Sequence, residues 1–214
     1  MPELDAPLAP PPAIPPQELA KPKLLIGEGQ DEVRFFGALL KELSLKDIQV
    51  EAYEGKGRLR DYLAALVLRP GFGGLVSLGV TRDADDNAQG GFDSISDSLR
   101  RVGLVTPTAH AVIEKGQPQV GIFILPDGQN QGMLEDLCLA SLANHPSMQC
   151  LDDYFKCIER QVGRLPNNLS KARIHAWLSS QERPDLPLGL AAEKGYIDWK
   201  NTAFDSIKRF LSTL

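Results

Sequence analysis

Apolar and polar positions along the chain change period in a regular order. Lys23-Leu24-Leu25-Ile26 is a short apolar run that stops at Gly27-Glu28-Gly29, and from Asp31 the apolar positions Val33, Phe36, Leu39/Leu40 and Leu43 recur at helical spacing. Asp31 and Glu32 suit the positive end of that helix's dipole. Ile48 to Tyr53 alternates apolar and polar as a strand with one face on the core. The turn Glu54-Gly55-Lys56-Gly57 leads into a second helix through Leu59, Tyr62, Leu63 and Leu66, ending before Pro70. Gly74 to Val80 carries no charge and predicts a strand covered on both faces, running into Thr81-Arg82-Asp83-Ala84-Asp85-Asp86-Asn87. Phe92, Ile95, Leu99 and Val102 mark a third helix closed by Gly103.

The order so far is βαβαβα, which favours a parallel sheet with its site at the carboxyl ends of the strands. Two further strands, 111–115 and 119–125, are separated by Gly116-Gln117-Pro118 and predict an antiparallel edge. Met133, Leu134, Leu137 and Leu142 predict another helix, and helices near 150–162, 169–180 and 202–212 follow. The expected organisation is a proline-rich, disordered tail at 1–20 with polyproline-II character and an α/β domain at 21–145. A helical C-terminal extension at 146–214 is expected to pack on the same core.

Composition narrows the class. The 214 residues suffice for one well-packed α/β domain with a helical annex. No basic-then-apolar leader and no membrane-length apolar run is present, so a cytoplasmic protein without membrane contact is expected. Cys138, Cys150 and Cys157 have no CxxC spacing and read as small core residues. The three histidines form no HxH or HxxxH pair. A net charge of −5 argues against a basic coat for non-specific nucleic-acid binding, but not against an enzyme whose carboxylates are reserved for metal.

The acids carry the candidate chemistry. In an extended segment Asp83 and Asp85 point the same way and face one ion, and one or two such carboxylates hold Mg²⁺ or Mn²⁺. Taken alone, such a run is ordinarily a solvated turn. Glu28 stands at the equivalent end of the first strand, and three acids at strand ends repel one another unless a cation is shared. Glu32, one turn on, either reaches back to the site or is an exposed first-turn acid. Glu135-Asp136 are either helix-start carboxylates or further ligands. Lys56, Arg58 and Arg82 are the cations expected to flank the site and contact phosphate. No GxxxxGK[ST] occurs, so Gly55-Lys56-Gly57 is not a P-loop.

The run Leu24-Leu25-Ile26-Gly27-Glu28-Gly29 before a helix, and a later strand into Asp83-Ala84-Asp85, resemble the Toprim (topoisomerase/primase) domain over about residues 23–145. The likeness is to stand-alone Toprim-like proteins related to the Toprim domain of OLD (overcoming lysogenization defect) nucleases. It implies a Toprim-like Rossmannoid fold and a Mg²⁺- or Mn²⁺-dependent nuclease or phosphodiester-transfer activity on DNA or RNA. Glu28 would be the first-motif glutamate, Asp83 and Asp85 the DxD, and Glu32 and Glu135 the extra acids of the OLD-like version. No ATPase domain accompanies the match, nor a DNA-gripping domain with a tyrosine nucleophile, so topoisomerase and primase activities are not expected. A non-catalytic metal-binding or regulatory module working with a separate ATPase or other protein is the alternative. A DxDx[TV] phosphatase motif is not matched. Against a calcium loop, Ala88 and Ser94 stand where glycine and glutamate are needed. A DxD glycosyltransferase is a minor further reading.

Overall fold

A computed structural model describes residues 18–214; most of the expected tail at 1–20 lies outside the described residues. Five strands form one sheet in the order β2-β1-β3-β5-β4. They are β1 (Lys23–Gly27), β2 (Ile48–Ala52), β3 (Ser77–Asp83), β4 (Ile113–Glu114) and β5 (Gln119–Leu125). β1 pairs in parallel with β2 and β3, β3 pairs in parallel with β5, and β4 closes the sheet antiparallel to β5. The fold class is therefore α/β, with a mainly parallel sheet and one antiparallel edge.

Strand alternation sends side chains to two cores. Leu24, Ile26, Leu78, Val80, Val120, Ile122 and Ile124 face α2 (Leu59–Leu66) and α3 (Ala88–Arg101). Leu25, Phe123 and Leu125 face the opposite layer. That layer holds α1 (Gln30–Glu42), α4 (Leu134–Ser141), α5 (Ser147–Val162), α6 (Leu169–Ser179), α7 (Leu188–Glu193) and α8 (Asp205–Thr213). The C-terminal helices share this core with the sheet. Among the described residues no helix is long and apolar enough to cross a membrane.

Two glycines shape the second layer. Gly79 on β3 and Gly121 on β5 are register partners, with Leu25 beside Gly79 on β1. A Cβ on Gly79 would lie 2.8 Å from Leu214 Cδ2, and one on Gly121 would lie 2.6 Å from Phe210 Cε2. The missing side chains form a trough into which the end of α8 settles. Phe210 is 1% exposed and packs on Phe123 at 5.4 Å between ring centroids. Phe210→Ala is expected to cost about 3–5 kcal/mol, read from urea unfolding midpoints, because the trough cannot collapse around the void.

Three elements differ from the sequence reading. β3 starts at Ser77, three residues late, because Gly71 has φ 90° and Phe72–Gly74 form a 3-10 turn that delays the strand. At its other end β3 stays paired with β5 as far as Asp83, opposite Leu125, so Asp83 is the last strand residue rather than a loop residue beyond it. β4 is only two residues long. The short α7 has too few turns to show a period and was not anticipated.

Candidate metal centre

The sheet's connectivity reverses direction between β1 and β3: from β1 the chain crosses to β2 on one side and later to β3 on the other. In open α/β sheets the crevice at such a switch point, at the strands' carboxyl ends, is where ligands bind. Glu28 follows β1 and Asp83 ends β3, so both stand at this point.

Gly27 lets the third acid in. A Cβ there would lie 2.4 Å from Glu32 Oε2 and 3.1 Å from Thr81 Oγ1. In its absence Glu32, in the first turn of α1, folds back over the end of β1 and is only 6% exposed. Its Oε2 accepts a hydrogen bond from the Glu28 N–H at 2.9 Å. The Thr81 hydroxyl lies 3.2 Å from both Glu32 Oε2 and the Ile26 carbonyl oxygen. Beneath it the Tyr53 hydroxyl donates to the Thr81 carbonyl at 3.1 Å. The Glu28 backbone is held in turn, since its carbonyl accepts from the Gly55 N–H at 2.9 Å.

One carboxylate oxygen each from Glu28, Glu32 and Asp83 lies within 4.8 Å of the other two. Asp83 Oδ1 accepts from the Leu134 N–H at 3.0 Å, at the start of α4, which fixes its carboxyl against the positive end of that helix. Burial raises Asp83 most, and the charges of Glu28 and Glu135 add to it, so its pKa is pushed up to about 7. Burial, then the neighbouring Asp83, holds Glu32 well above the usual carboxylate range. Glu28 is raised by burial, partly offset by Lys56 and Arg82. Glu28 Oε1 is buried without a hydrogen-bond partner, and Arg82 Nε, also unpaired, stands 3.8 Å away. Three hard oxygen donors, a mutual repulsion and an orphaned buried carboxylate oxygen fit a small divalent cation.

Asp85 takes a different place from the one expected. Its φ of 49° ends the extended path on which two aspartates i and i+2 share a direction. Its backbone N–H and carbonyl both bond to Gly132, at 2.8 and 2.7 Å, and its carboxylate pairs with Lys56. It lines the same groove as Arg82 and Asp83 but is not one of the three converging acids. Glu135 is near enough to raise Asp83 and lies 3.9 Å from Lys171 Nζ. Asp136 caps α4, accepting from the Met133 N–H at 2.8 Å and from the Ser170 hydroxyl. Arg82 Nη1 donates to Ser94 Oγ at 2.9 Å, and Arg58 is exposed before α2 with no ion pair among the described residues. Thr81 and Tyr53 were not singled out from the sequence as parts of the site; Thr81 would have shown as a polar residue interrupting an apolar strand.

Gly27→Ala is expected to push Glu32 out of place, cost about 1–3 kcal/mol in a thermal melt and weaken Mn²⁺ binding about tenfold or more by calorimetry. An alanine variant that binds Mn²⁺ like the parent would mean Glu32 is not a ligand.

A family model described as "Protein of unknown function (DUF3226)" matches residues 22–214. No curated protein matches the chain. Among solved structures, the C-terminal region of the Xanthomonas campestris pv. campestris OLD protein, phased with mercury, is similar at 14% identity and TM-score 0.39. That match covers 92% of this chain and 87% of that one. The same region phased with iodine matches at 15% identity with the same TM-score and coverage. At these values the likeness carries no argument about the site.

Proposed function

We propose, from the premise that the chain belongs to the DUF3226 family, that it is a Toprim-like, divalent-metal-dependent protein that cleaves or transfers phosphodiesters of nucleic acid. The observation that carries this reading is the convergence of Glu28, Glu32 and Asp83 at the switch point of the sheet. The strand-end glutamate between glycines and the later strand-end aspartate are the features that resemble the Toprim pattern.

Glu28, Glu32 and Asp83 would hold Mg²⁺ or Mn²⁺, with Glu135 and Asp85 at the margin for a second ion. When bound, the ion supplies Lewis acidity toward a phosphoryl oxygen and an acidified water. Leu134 N–H orients the Asp83 carboxyl, while Glu28 N–H and Thr81 hold that of Glu32. Glu28, whose Oε1 is buried without a hydrogen-bond partner, is the carboxylate placed to take a proton. Lys56, Arg58 and Arg82 would meet the phosphates of a DNA or RNA strand.

The experiment incubates the protein with supercoiled DNA, single-stranded DNA and RNA in Mg²⁺ or Mn²⁺, with Asp83→Ala alongside. Metal-dependent cutting by the parent alone supports the reading; cutting by neither, or equally by both, sinks it. One observation favours a second reading, a metal-binding regulatory module serving a separate ATPase or other protein: Lys56 already engages Asp85, leaving one member of the aspartate pair outside the cluster. Mn²⁺ binding by calorimetry without any cleavage separates this case from the first.

A further inference from the structure

Among the described residues the longest helix is poorly embedded over half its length. α5 spans 16 residues, Ser147–Val162, yet its buried residues are Met148, Leu151 and Phe155, and none from Lys156 to Val162 is buried. Helices in water draw most of their stability from a packed face, so two turns without one call for another contact. A stripe runs along the exposed side. Cys150, Tyr154, Cys157 and Gln161 are spaced four, three and four residues apart, the d-a-d-a spacing of a coiled-coil seam, and all four are exposed. Tyr154 is 53% exposed, and both cysteines are free thiols. Asp153 and Arg160, seven residues apart and both exposed, flank the stripe on one side.

We propose that α5 is the contact between two copies of this chain, packed antiparallel about a twofold axis between Phe155 and Lys156. In that register Tyr154 of one copy lies against Cys157 of the other, and Cys150 against Gln161. The flanking charges choose the orientation. Both are g positions, which face each other across an antiparallel pair, so antiparallel packing sets Asp153 of each copy against Arg160 of the other, two opposite-charge pairs related by the axis; parallel packing sets Asp153 against the e-position Ile158 of the other copy and gives neither charge a partner. A 16-residue helix is roughly 24 Å long, so the seam buries less than the ~800 Å² per partner of a standard stable interface. The dimer is accordingly weak and concentration-dependent. The contact is independent of the metal centre and needs no covalent bond between the thiols.

Sedimentation velocity over a hundredfold range of concentration reads the mass directly, with circular dichroism confirming that each exposed-site variant is folded. The parent is expected to pass from monomer to dimer, and Tyr154→Glu to stay monomeric throughout. Asp153→Arg and Arg160→Asp should each weaken association about fivefold or more, while the double variant recovers it, because the pairs re-form with signs exchanged. A short bismaleimide adds the register: the two Cys157 residues are offset by about 5 Å along the helix axes and the two Cys150 residues by about 17 Å. Cys150→Ser should therefore still cross-link and Cys157→Ser should not. A parent that is monomeric at every concentration, a dimer indifferent to Tyr154→Glu, a double variant no better than the singles, or cross-linking that depends on Cys150 would each overturn the proposal.

Discussion

Asp83→Asn is expected to give a protein that melts higher than its parent in EDTA near about pH 8, yet binds Mn²⁺ at least about a hundredfold more weakly and loses about a thousandfold or more of any metal-dependent cleavage. Asparagine keeps an oxygen for the Leu134 N–H and is close to the same size, so the start of α4 stays capped. What it removes is a charge crowded by Glu28, Glu32 and Glu135. Relief of the burial of that charge, and then of its repulsion, is worth on the order of 1–3 kcal/mol, or a few degrees in midpoint for a chain of this size. The same charge is what a cation needs. Gain of stability with loss of binding is the signature of a site whose acids are held together for a ligand, as opposed to acids that serve the fold. If Asp83→Asn melts lower than the parent and binds Mn²⁺ as well, the cluster is structural.

The second large effect is in the pH dependence of the metal-free protein. Asp83 has its folded pKa raised to about 7, and Glu32 and Glu28 are raised as well, so between about pH 4 and 7 the folded state keeps protons that the unfolded chain has released. Stability therefore falls as pH rises through this window. For Asp83 alone the fall is on the order of 4 kcal/mol. Below about pH 4 the slope reverses, because Glu51, bound to Arg69 and Tyr62, and Asp127, bound to the Asn130 and Gln129 amides, have lowered values and lose their contribution as they protonate. Thermal midpoints in EDTA should thus peak near about pH 4. In Mn²⁺ at about a hundred times its dissociation constant, some 2.7 kcal/mol returns on the alkaline side and the peak broadens toward neutral pH. A flat EDTA profile between pH 5 and 8 would remove the case for strained carboxylates.

The alternation of elements was legible because it is a local property. The apolar periods at Val33–Leu43, Ile48–Tyr53 and Phe92–Val102 match a helix, a strand and a helix of the structure to within one residue, and their order favoured a parallel sheet with its site at the strands' carboxyl ends. What escaped depends on contacts between distant residues. Glu32 stood open between reaching back to the site and being an exposed first-turn acid, because its burial is created by Gly27 and by Thr81, which is 49 positions away. Asp85 was grouped with Asp83 by strand parity, which holds only while φ stays negative; the hydrogen bonds to Gly132, 47 residues on, are what fix the turn. Gly79 and Gly121 carried a signal that was not used, a glycine at the middle of each of two apolar strands, whose sense appears only once the strands are in register.

That glycine trough also governs how the molecule comes apart. Leu214 rests over Gly79 beside Leu25, and Phe210 over Gly121 beside Ile113, so residues from near the start of β1 to the end of α8 share one patch of core. Contacts of such wide sequence separation make the closing of α8 a late and slow event in folding, since most of the chain must already be placed for the trough to exist. They also leave no seam along which the helical annex can peel away intact. Loss of α8 uncovers β3 and β5 together, and β3 is the strand that ends in Asp83.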